Sequence, residues 1–287
     1  MTLPSSVCVL YHPRVHGQDD RLIGVESVLA RLGVESWRHE RDGGSGGLAE
    51  RMRNTALVLT LGGDGTFLFG ARLAGPHGVP VLGVNLGRLG LLTELEPDGV
   101  ESGLRRFLDG DYRVEERTML SAALRRAGRV RERSLGLNEV MVHRSPSLKL
   151  IRFEMAMDEQ QIGTIDADGV LVATATGSTA YSLALGGPIL EPTLPDLVLV
   201  PMNPFALSVR PIVLNPNIDV RITLAANGAS VVTDGFLTWS AEPGDEIRVH
   251  AFRRRLKLVR FGPPADFYRI LREKIGWGTP LVPRPHA

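Results

Sequence analysis

Along the first hundred residues the apolar positions fall into two alternating patterns. "SVCVLYHP" is a short apolar run closed by His-Pro, which reads as a buried strand. "DDRLIGVESVLARLG" places Leu22, Val25, Val28, Leu29 and Leu32 on one helical stripe that stops at Gly33. "ALVLTL" predicts a second buried strand, "TFLFGARLAGP" a helix stopped by Gly75-Pro76, and "VPVLGVNL" a third strand. Alternation of buried strands with helices predicts a parallel sheet covered by helices. Between Arg41 and Leu48 the stretch "RDGGSGG" predicts a mobile loop.

After the helix-like "PDGVESGLRRFLDGDY" the helical period nearly vanishes. "TMLSAALRRAGRVRERSLGLNEVMVHR", "LIRFEMAMDEQQIGTIDADGVLVATA", "DLVLVPM", "DVRITLAANGASVVTDG" and "EIRVHAFRRRLKLVRF" read as strands separated by turn residues. The pattern predicts an α/β domain over residues 1–115 and a mostly antiparallel, all-β domain over 116–263. The final stretch, 264–287, contains the amphipathic "ADFYRILREKIGW" and is expected to form a helix that packs back on the first domain.

A chain of 287 residues has room for both domains, and 33 basic against 32 acidic side chains at 43% hydrophobic content give no pull toward nucleic acid or membrane. Cys8 is the only cysteine, which excludes an intrachain disulfide and a cysteine-cluster zinc site and favours a reducing compartment. The N-terminal stretch lacks the pattern of a secretory leader, and no run of about 18 apolar residues is present, so the cytoplasm is the expected location. The seven histidines lack metal-ligand spacing, and His143 reads as a strand-end residue.

Chemistry concentrates first in "LTLGGDGTFL". A buried strand that ends in Gly62-Gly63-Asp64-Gly65-Thr66 and runs into a helix brings backbone N–H groups and a helix N-terminus to one point, an anion site. Glycine lets the main chain approach a phosphate closely and take positive φ. A carboxylate there would repel a phosphate, unless Asp64 accepts the proton of a hydroxyl or shares Mg2+ with the phosphate. Both roles belong to phosphoryl transfer. The pattern equally allows Asp64 to be a helix cap beside a glycine turn. With no lysine nearby, a P-loop is disfavoured, as is a dinucleotide-binding GxGxxG site.

"LGGDGTFL", "GVNLGRLGLLTEL", "LNEVMVHR", "DADGVLVATATGSTAYSLALGGPIL" and "FYRILREKIGWG" occur in the order and at the spacing seen in the NAD kinases, which the chain resembles over nearly its whole length. "GGDG" alone is shared with diacylglycerol kinases, sphingosine kinases and phosphofructokinases. The resemblance implies a phosphofructokinase- or diacylglycerol-kinase-like first domain and an NAD-binding second one.

It also implies roles. Asp64 would activate the 2′-hydroxyl of the adenosine ribose of NAD, with Gly62, Gly63, Gly65 and Thr66 around the transferring phosphoryl group. Asn138 and Glu139 would hold the adenosine half. Thr176, Gly177, Ser178, Thr179, Ala180, Tyr181 and Ser182 would wrap adenine and the second nucleoside, with small Ala180 admitting a flat ring. Asp168 would contact the nicotinamide ribose or amide region, although an "ADG" hairpin turn looks the same in sequence. Arg88 would face phosphate or merely flank a helix. Mg2+ or another divalent cation, ATP or polyphosphate as donor, and a homodimer or homotetramer follow from the same resemblance.

The chain departs from the family pattern at Phe205 and Ala206, where a His and a hydroxyl are usual, and at Phe236 in "DGF". Those changes bear on fine recognition, assembly contacts and the choice between NAD and NADH. A lipid or sphingoid kinase on the same "GGDG" domain, and a catalytically silent NAD or NADP sensor, are the alternatives.

Overall fold

The computed structural model describes residues 6–12, 19–41, 47–87, 90–145, 149–262 and 267–278. The glycine-rich stretch 42–46 and Arg88 therefore lie outside the described residues. The chain divides into two compact units, one formed by Met1–Gly70, Pro80–Val114 and Val259–Ala287, the other by Ala71–Val79 and Glu115–Leu258.

In chain order the first elements are β1 (Ser6–Tyr11), α1 (Asp20–Arg31), β2 (Glu35–Glu40), α2 (Leu48–Arg53), β3 (Thr55–Gly62), α3 (Asp64–Ala74), β4 (Val81–Asn85), α4 (Val100–Leu108) and β5 (Arg113–Arg117). The helical stripe of α1 buries Leu22, Val25 and Leu29 in a core with Leu57, Leu59 and Leu82, while Val28 and Leu32 pack at its margin. Asp19 caps α1 by accepting from Arg21 N–H at 2.9 Å, and Gly33, at φ 71°, ends it in the left-handed conformation. β1 pairs in parallel with β2 and β3, and β3 with β4.

β2 and α2 carry no signal in the apolar pattern. β2 is an edge strand whose only buried residue is His39, so its sequence, Glu-Ser-Trp-Arg-His-Glu, shows no apolar run. Pairing with β1, rather than local composition, makes it a strand.

The second unit holds β6 (Leu120–Arg126), β7 (Arg129–Gly136), β8 (Glu139–Arg144), β9 (Ile151–Met157), β10 (Gln160–Ala167), β11 (Gly169–Thr174), α5 (Tyr181–Ala184), β12 (Leu197–Met202), β13 (Ile212–Leu214), β14 (Val220–Ala226), β15 (Ala229–Thr233), β16 (Leu237–Ala241) and β17 (Glu246–Ala251). One antiparallel sheet runs β10-β9-β14-β17-β6-β7 and another β13-β12-β11-β8-β15-β16. Their inner faces share one core that includes Phe153, Met155, Val170, Val172, Leu199 and Ile222. β11 is buried at every position because its outer face is also covered: Leu171 and Ala173 pack with Leu185 and Leu190. Two-sided burial explains why "GVLVAT" is a continuous apolar run rather than an alternating one.

"EIRVHAFRRRLKLVRF" does not stay in one sheet. Its second half forms β18 (Leu256–Arg260), which takes a place between β4 and β5 in the sheet β2-β1-β3-β4-β18-β5. The chain then makes a short helix, α6 (Phe267–Ile270), and a turn of π-helix over Leu271–Ile275, with Lys274 Nζ donating to Gly90 O at 2.6 Å. Among the described residues no helix is long and apolar enough to cross a membrane.

Candidate functional site

In the first unit, β3 ends at Gly62 and α3 begins at Asp64. Gly63 O accepts from Thr66 and Phe67 N–H at 3.0 and 3.1 Å, closing the first turn. The glycines are not there for positive φ: Gly62 is strand and Gly65 is helix. A Cβ on Gly62 would lie 2.2 Å from Thr66 Oγ1, and one on Gly87 would lie 3.2 Å from Gly63 Cα. Clearance demands glycine at Gly62 and favours it at Gly87, and Thr66 is buried as part of that packing.

Asp64 does not cap its own helix. Its carboxylate reaches the loop after β4, where Leu92 N–H donates to Oδ1 at 3.0 Å and Leu91 N–H to Oδ2 at 3.2 Å. The loop is braced from below by Arg260 of β18, buried to 6% exposure, whose guanidinium donates to Leu92 O at 3.1 Å and to Glu94 Oε2 at 3.0 Å. Each Asp64 oxygen spends one lone-pair direction on the backbone and keeps another. A half-buried, oriented carboxylate at the C-terminal end of a parallel strand stands where α/β sheets bind ligands. Arg260 carries no motif in the sequence, since its partners are 166 to 168 residues away.

In the second unit, Asn138 and Glu139 sit at the turn from β7 into β8, and what shapes that turn is Asp234. Asp234 Oδ2 accepts from Leu137 N–H at 2.7 Å, and Oδ1 from Asn138 and Glu139 N–H at 2.9 and 3.0 Å. Asp234 can reach them because Thr233-Asp234-Gly235-Phe236 is a tight hairpin turn with φ of 49° and 73° at Asp234 and Gly235 and a 3.0 Å bond from Phe236 N–H to Thr233 O. The "DGF" triplet thus supplies an anchor for the turn that bears Asn138 and Glu139. Burial pushes the Asp234 carboxyl up, opposed by those N–H donors and by Arg72.

Glu139 Oε2 is buried and has no hydrogen-bond partner among the described residues. Burial, reinforced by the charge of Asp234, pushes the Glu139 carboxyl up to about 8. A buried carboxyl oxygen without a partner is costly unless a ligand donates to it.

The hydroxyl-rich stretch divides into structural and free groups. Ser178 is fully buried and spent on the backbone, donating to Ala175 O at 2.7 Å and accepting from Leu190 N–H at 3.0 Å. Thr176 Oγ1 accepts from the buried Arg117 at 3.2 Å, and Thr179 Oγ1 donates to Thr176 O at 3.3 Å. Ser182 Oγ is buried without a partner among the described residues, whereas Tyr181 is 46% exposed.

Gly177 ties this stretch to Asn138. Its ideal Cβ would lie 2.1 Å from Asn138 O, a backbone atom that already accepts from Thr174 N–H at 2.9 Å. Gly177→Ala is accordingly expected to lose about 1–3 kcal/mol of stability through overpacking, measured by urea unfolding. An unchanged midpoint would mean that the turn yields freely.

Asp168 is not in a hairpin turn. β10 and β11 belong to different sheets, and Asp168 bridges them, its N–H on Met202 O at 2.9 Å and its O accepting from Arg144 N–H at 2.8 Å. Its carboxylate pairs with Arg144 Nε at 2.7 Å and accepts from Asn203 Nδ2 at 2.9 Å. Asp168, Arg144, His143, Asn203 and Tyr181 line a cleft of 760 Å³. His143 itself uses Nδ1 on Arg144 O at 2.9 Å. Phe205 lies 79% exposed beyond β12, with its N–H on Asp166 O at 2.9 Å.

Comparison with known proteins assigns both halves. Residues 27–112 match the family model described as the ATP-NAD kinase N-terminal domain, and 137–261 the ATP-NAD kinase C-terminal domain. The NAD kinase of Heliobacterium modesticaldum is 45% identical over 233 residues, covering 80% of this chain and 82% of that protein. The NAD kinase of Pseudomonas fluorescens is 42% identical over 230 residues, covering 78% and 77%. Among solved structures, an NAD kinase from Archaeoglobus fulgidus in complex with ATP superposes with a TM-score of 0.73 at 27% identity, covering 94% of this chain and 97% of that one. Yeast NADH kinase complexed with NADH shares the fold, with a TM-score of 0.84 at 24% identity over 98% of this chain and 90% of its own. With both family domains matched in order and relatives above 40% identity over more than three quarters of its length, this chain belongs to the NAD kinase family.

Proposed function

We propose that the protein transfers a phosphoryl group from ATP to the 2′-hydroxyl of the adenosine ribose of NAD, forming NADP, with Asp64 as the proton acceptor. The new bond joins the ribose oxygen to phosphorus, the bridging P–O bond of the donor breaks, and the hydroxyl proton passes to an Asp64 oxygen. The observation that carries this reading is the Asp64 carboxylate, oriented by Leu91 and Leu92 N–H groups directly after the Gly62-Gly63 turn. An oriented base and a prepositioned hydroxyl are what such a transfer needs from a protein, because the charge of the transition state is met by N–H donors and by a cation.

Mg2+ fits the residues present in one manner. No group of three His, Cys, Asp or Glu able to hold a metal stands together among the described residues. Mg2+ retains waters and is commonly held by substrate phosphates with one or two carboxylates, so Asp64 is the protein group that would share it. Bound there, the cation would neutralise charge on the transferring phosphoryl group.

In the second unit we assign Asn138 and Glu139 to adenosine, and Thr176, Thr179, Ala180, Tyr181 and Ser182 to the edges of the ligand. Asp168 belongs to the nicotinamide half, with the residues of its cleft. Ser178 acts only through the backbone it holds. The unpartnered Glu139 oxygen supports a ribose hydroxyl as its donor. The domain limits at 115 and 263, a homodimer or homotetramer, and a cytoplasmic location complete this reading. NADP formation from NAD with ATP and Mg2+, run beside polyphosphate and NADH, tests it. Family membership sets aside the lipid kinase alternative, and tight NAD binding without turnover would leave a sensor.

Glu139 gives the reading a pH signature. Its carboxyl, raised from 4.5 to about 8, is neutral in the folded ligand-free protein over most of the range between those values. The stabilisation from that raised value is complete below pH 4.5 and is lost as pH climbs through about 8. A ribose hydroxyl donates best to the ionised form, so binding should release a proton. NAD affinity is therefore expected to rise between pH 6 and pH 8, with flattening in Glu139→Gln. Calorimetry in buffers of different ionisation enthalpy measures the proton directly, and a pH-independent affinity with no proton release would refute the assignment.

A further inference from the structure

The second unit contains another cleft, of 510 Å³, whose lining includes Thr118, Asp219, His250, Arg253 and Arg255. None of these residues belongs to the sequence motifs or to the surroundings of Asp168 and Glu139. Asp219 precedes β14 and is fixed by two bonds to Asp158: its N–H donates to Asp158 Oδ1 at 3.0 Å, and its O accepts from Asp158 N–H at 2.9 Å. Arg253 and Arg255 lie on the connection between β17 and β18, and Arg255 Nη2 donates to Thr193 O at 2.8 Å.

Two buried polar atoms of residues that line this cleft have no hydrogen-bond partner among the described residues: Asp219 Oδ1, an acceptor, and Arg255 Nε, a donor. Burying either without a partner is unfavourable, and the two together call for an occupant that both donates and accepts. Charge narrows the choice. Two guanidinium groups, an imidazole and one carboxylate line the cleft, and Asp219 Oδ2 already lies 3.6 Å from Arg248 Nη1. Asp219 also feels the positive field of Arg221 and His250, which outweighs in number the single opposing charge of Asp158. An ammonium group would enter against Arg248, Arg221 and His250, whereas a neutral hydroxyl would not. A dianion with several oxygens matches paired guanidinium forks better than a single carboxylate does.

We propose that this cleft binds a small hydroxylated phosphate ester, its phosphate on Arg253 and Arg255 and a hydroxyl donating to Asp219. The site is independent of the kinase reaction and of the residues assigned to it.

Titration calorimetry of the full chain with ribose 5-phosphate, ribose and inorganic phosphate tests the proposal. Ribose 5-phosphate should bind saturably, about tenfold or more weaker in Arg253→Gln, an exposed position where folding is unaffected. Arg255→Lys, which keeps the charge and removes Nε, should weaken it as well. Ribose alone should show no binding. Inorganic phosphate should bind more weakly than the ester, and Asp219→Asn should erase that difference. Absence of saturable binding, or binding indifferent to Arg253→Gln, would mean that only water bridges the two unmet atoms and would overturn the proposal. Equal affinity for phosphate and ester in the unaltered protein would mean an adventitious anion, and would overturn it equally.

Discussion

Asp64→Asn is expected to lower the rate of NADP formation by about a thousandfold while leaving NAD binding within a few-fold of the unaltered protein. A positioned general base contributes about 10²–10⁴ in rate, and a carboxamide cannot take the hydroxyl proton. The substitution also has a structural side. Both Asp64 oxygens accept backbone N–H groups, at 3.0 and 3.2 Å, and asparagine supplies one such oxygen. The amide will orient that oxygen toward Leu92, leaving Leu91 N–H to solvent, so a stability loss of about 1 kcal/mol should accompany the loss of turnover. Separate measurement of kcat, NAD affinity and unfolding distinguishes the two effects. Turnover within tenfold of the unaltered enzyme would place the proton acceptor elsewhere.

Asp234→Ala should have the largest effect on stability, about 3–5 kcal/mol. Its carboxylate is buried to 6% exposure and receives the N–H groups of Leu137, Asn138 and Glu139. Each buried donor left without a partner costs about 1–3 kcal/mol, with some recovery as water enters the space vacated. Asp234→Asn should lose less, because one oxygen still serves Asn138 and Glu139 while the amide faces Leu137. The change also removes a negative charge that helps raise the Glu139 carboxyl, so the pH dependence of NAD affinity should shift downward. Chemical denaturation and the pH profile together check this prediction. An Asp234→Ala protein with unaltered stability would show that the turn before β8 holds without its anchor.

These expectations were unequally legible in the chain. The stripe of α1, the buried run of β3 and the glycines before α3 are local signals, because burial on one face writes a period into the sequence. Asp64 stands out for the same reason: an acid among glycines at a strand-to-helix junction conflicts with every bland preference except capping. β2 was silent because an edge strand with one buried residue needs no apolar pattern. β18 joins the sheet of β4 and β5 rather than that of β17, the strand before it, because a strand's own sequence does not say which sheet it will join.

Long-range pairing decided the rest. Arg260 braces the Asp64 loop, and Asp234 shapes the Asn138-Glu139 turn from 95 to 97 residues away. Ser178, indistinguishable in sequence from its hydroxyl neighbours, proved to be spent on Ala175 and Leu190. Gly62 and Gly177 were recognisable as special positions, but their reason, clearance from Thr66 and from Asn138 O, is a matter of contact rather than of φ. By itself the sequence determined the fold class, the family and the position of Asp64 at a strand-to-helix junction, because local period and motif spacing are properties of neighbours along the chain. Which polar groups are free to meet a ligand was decided only by the tertiary structure, since a hydrogen-bond partner is chosen in space.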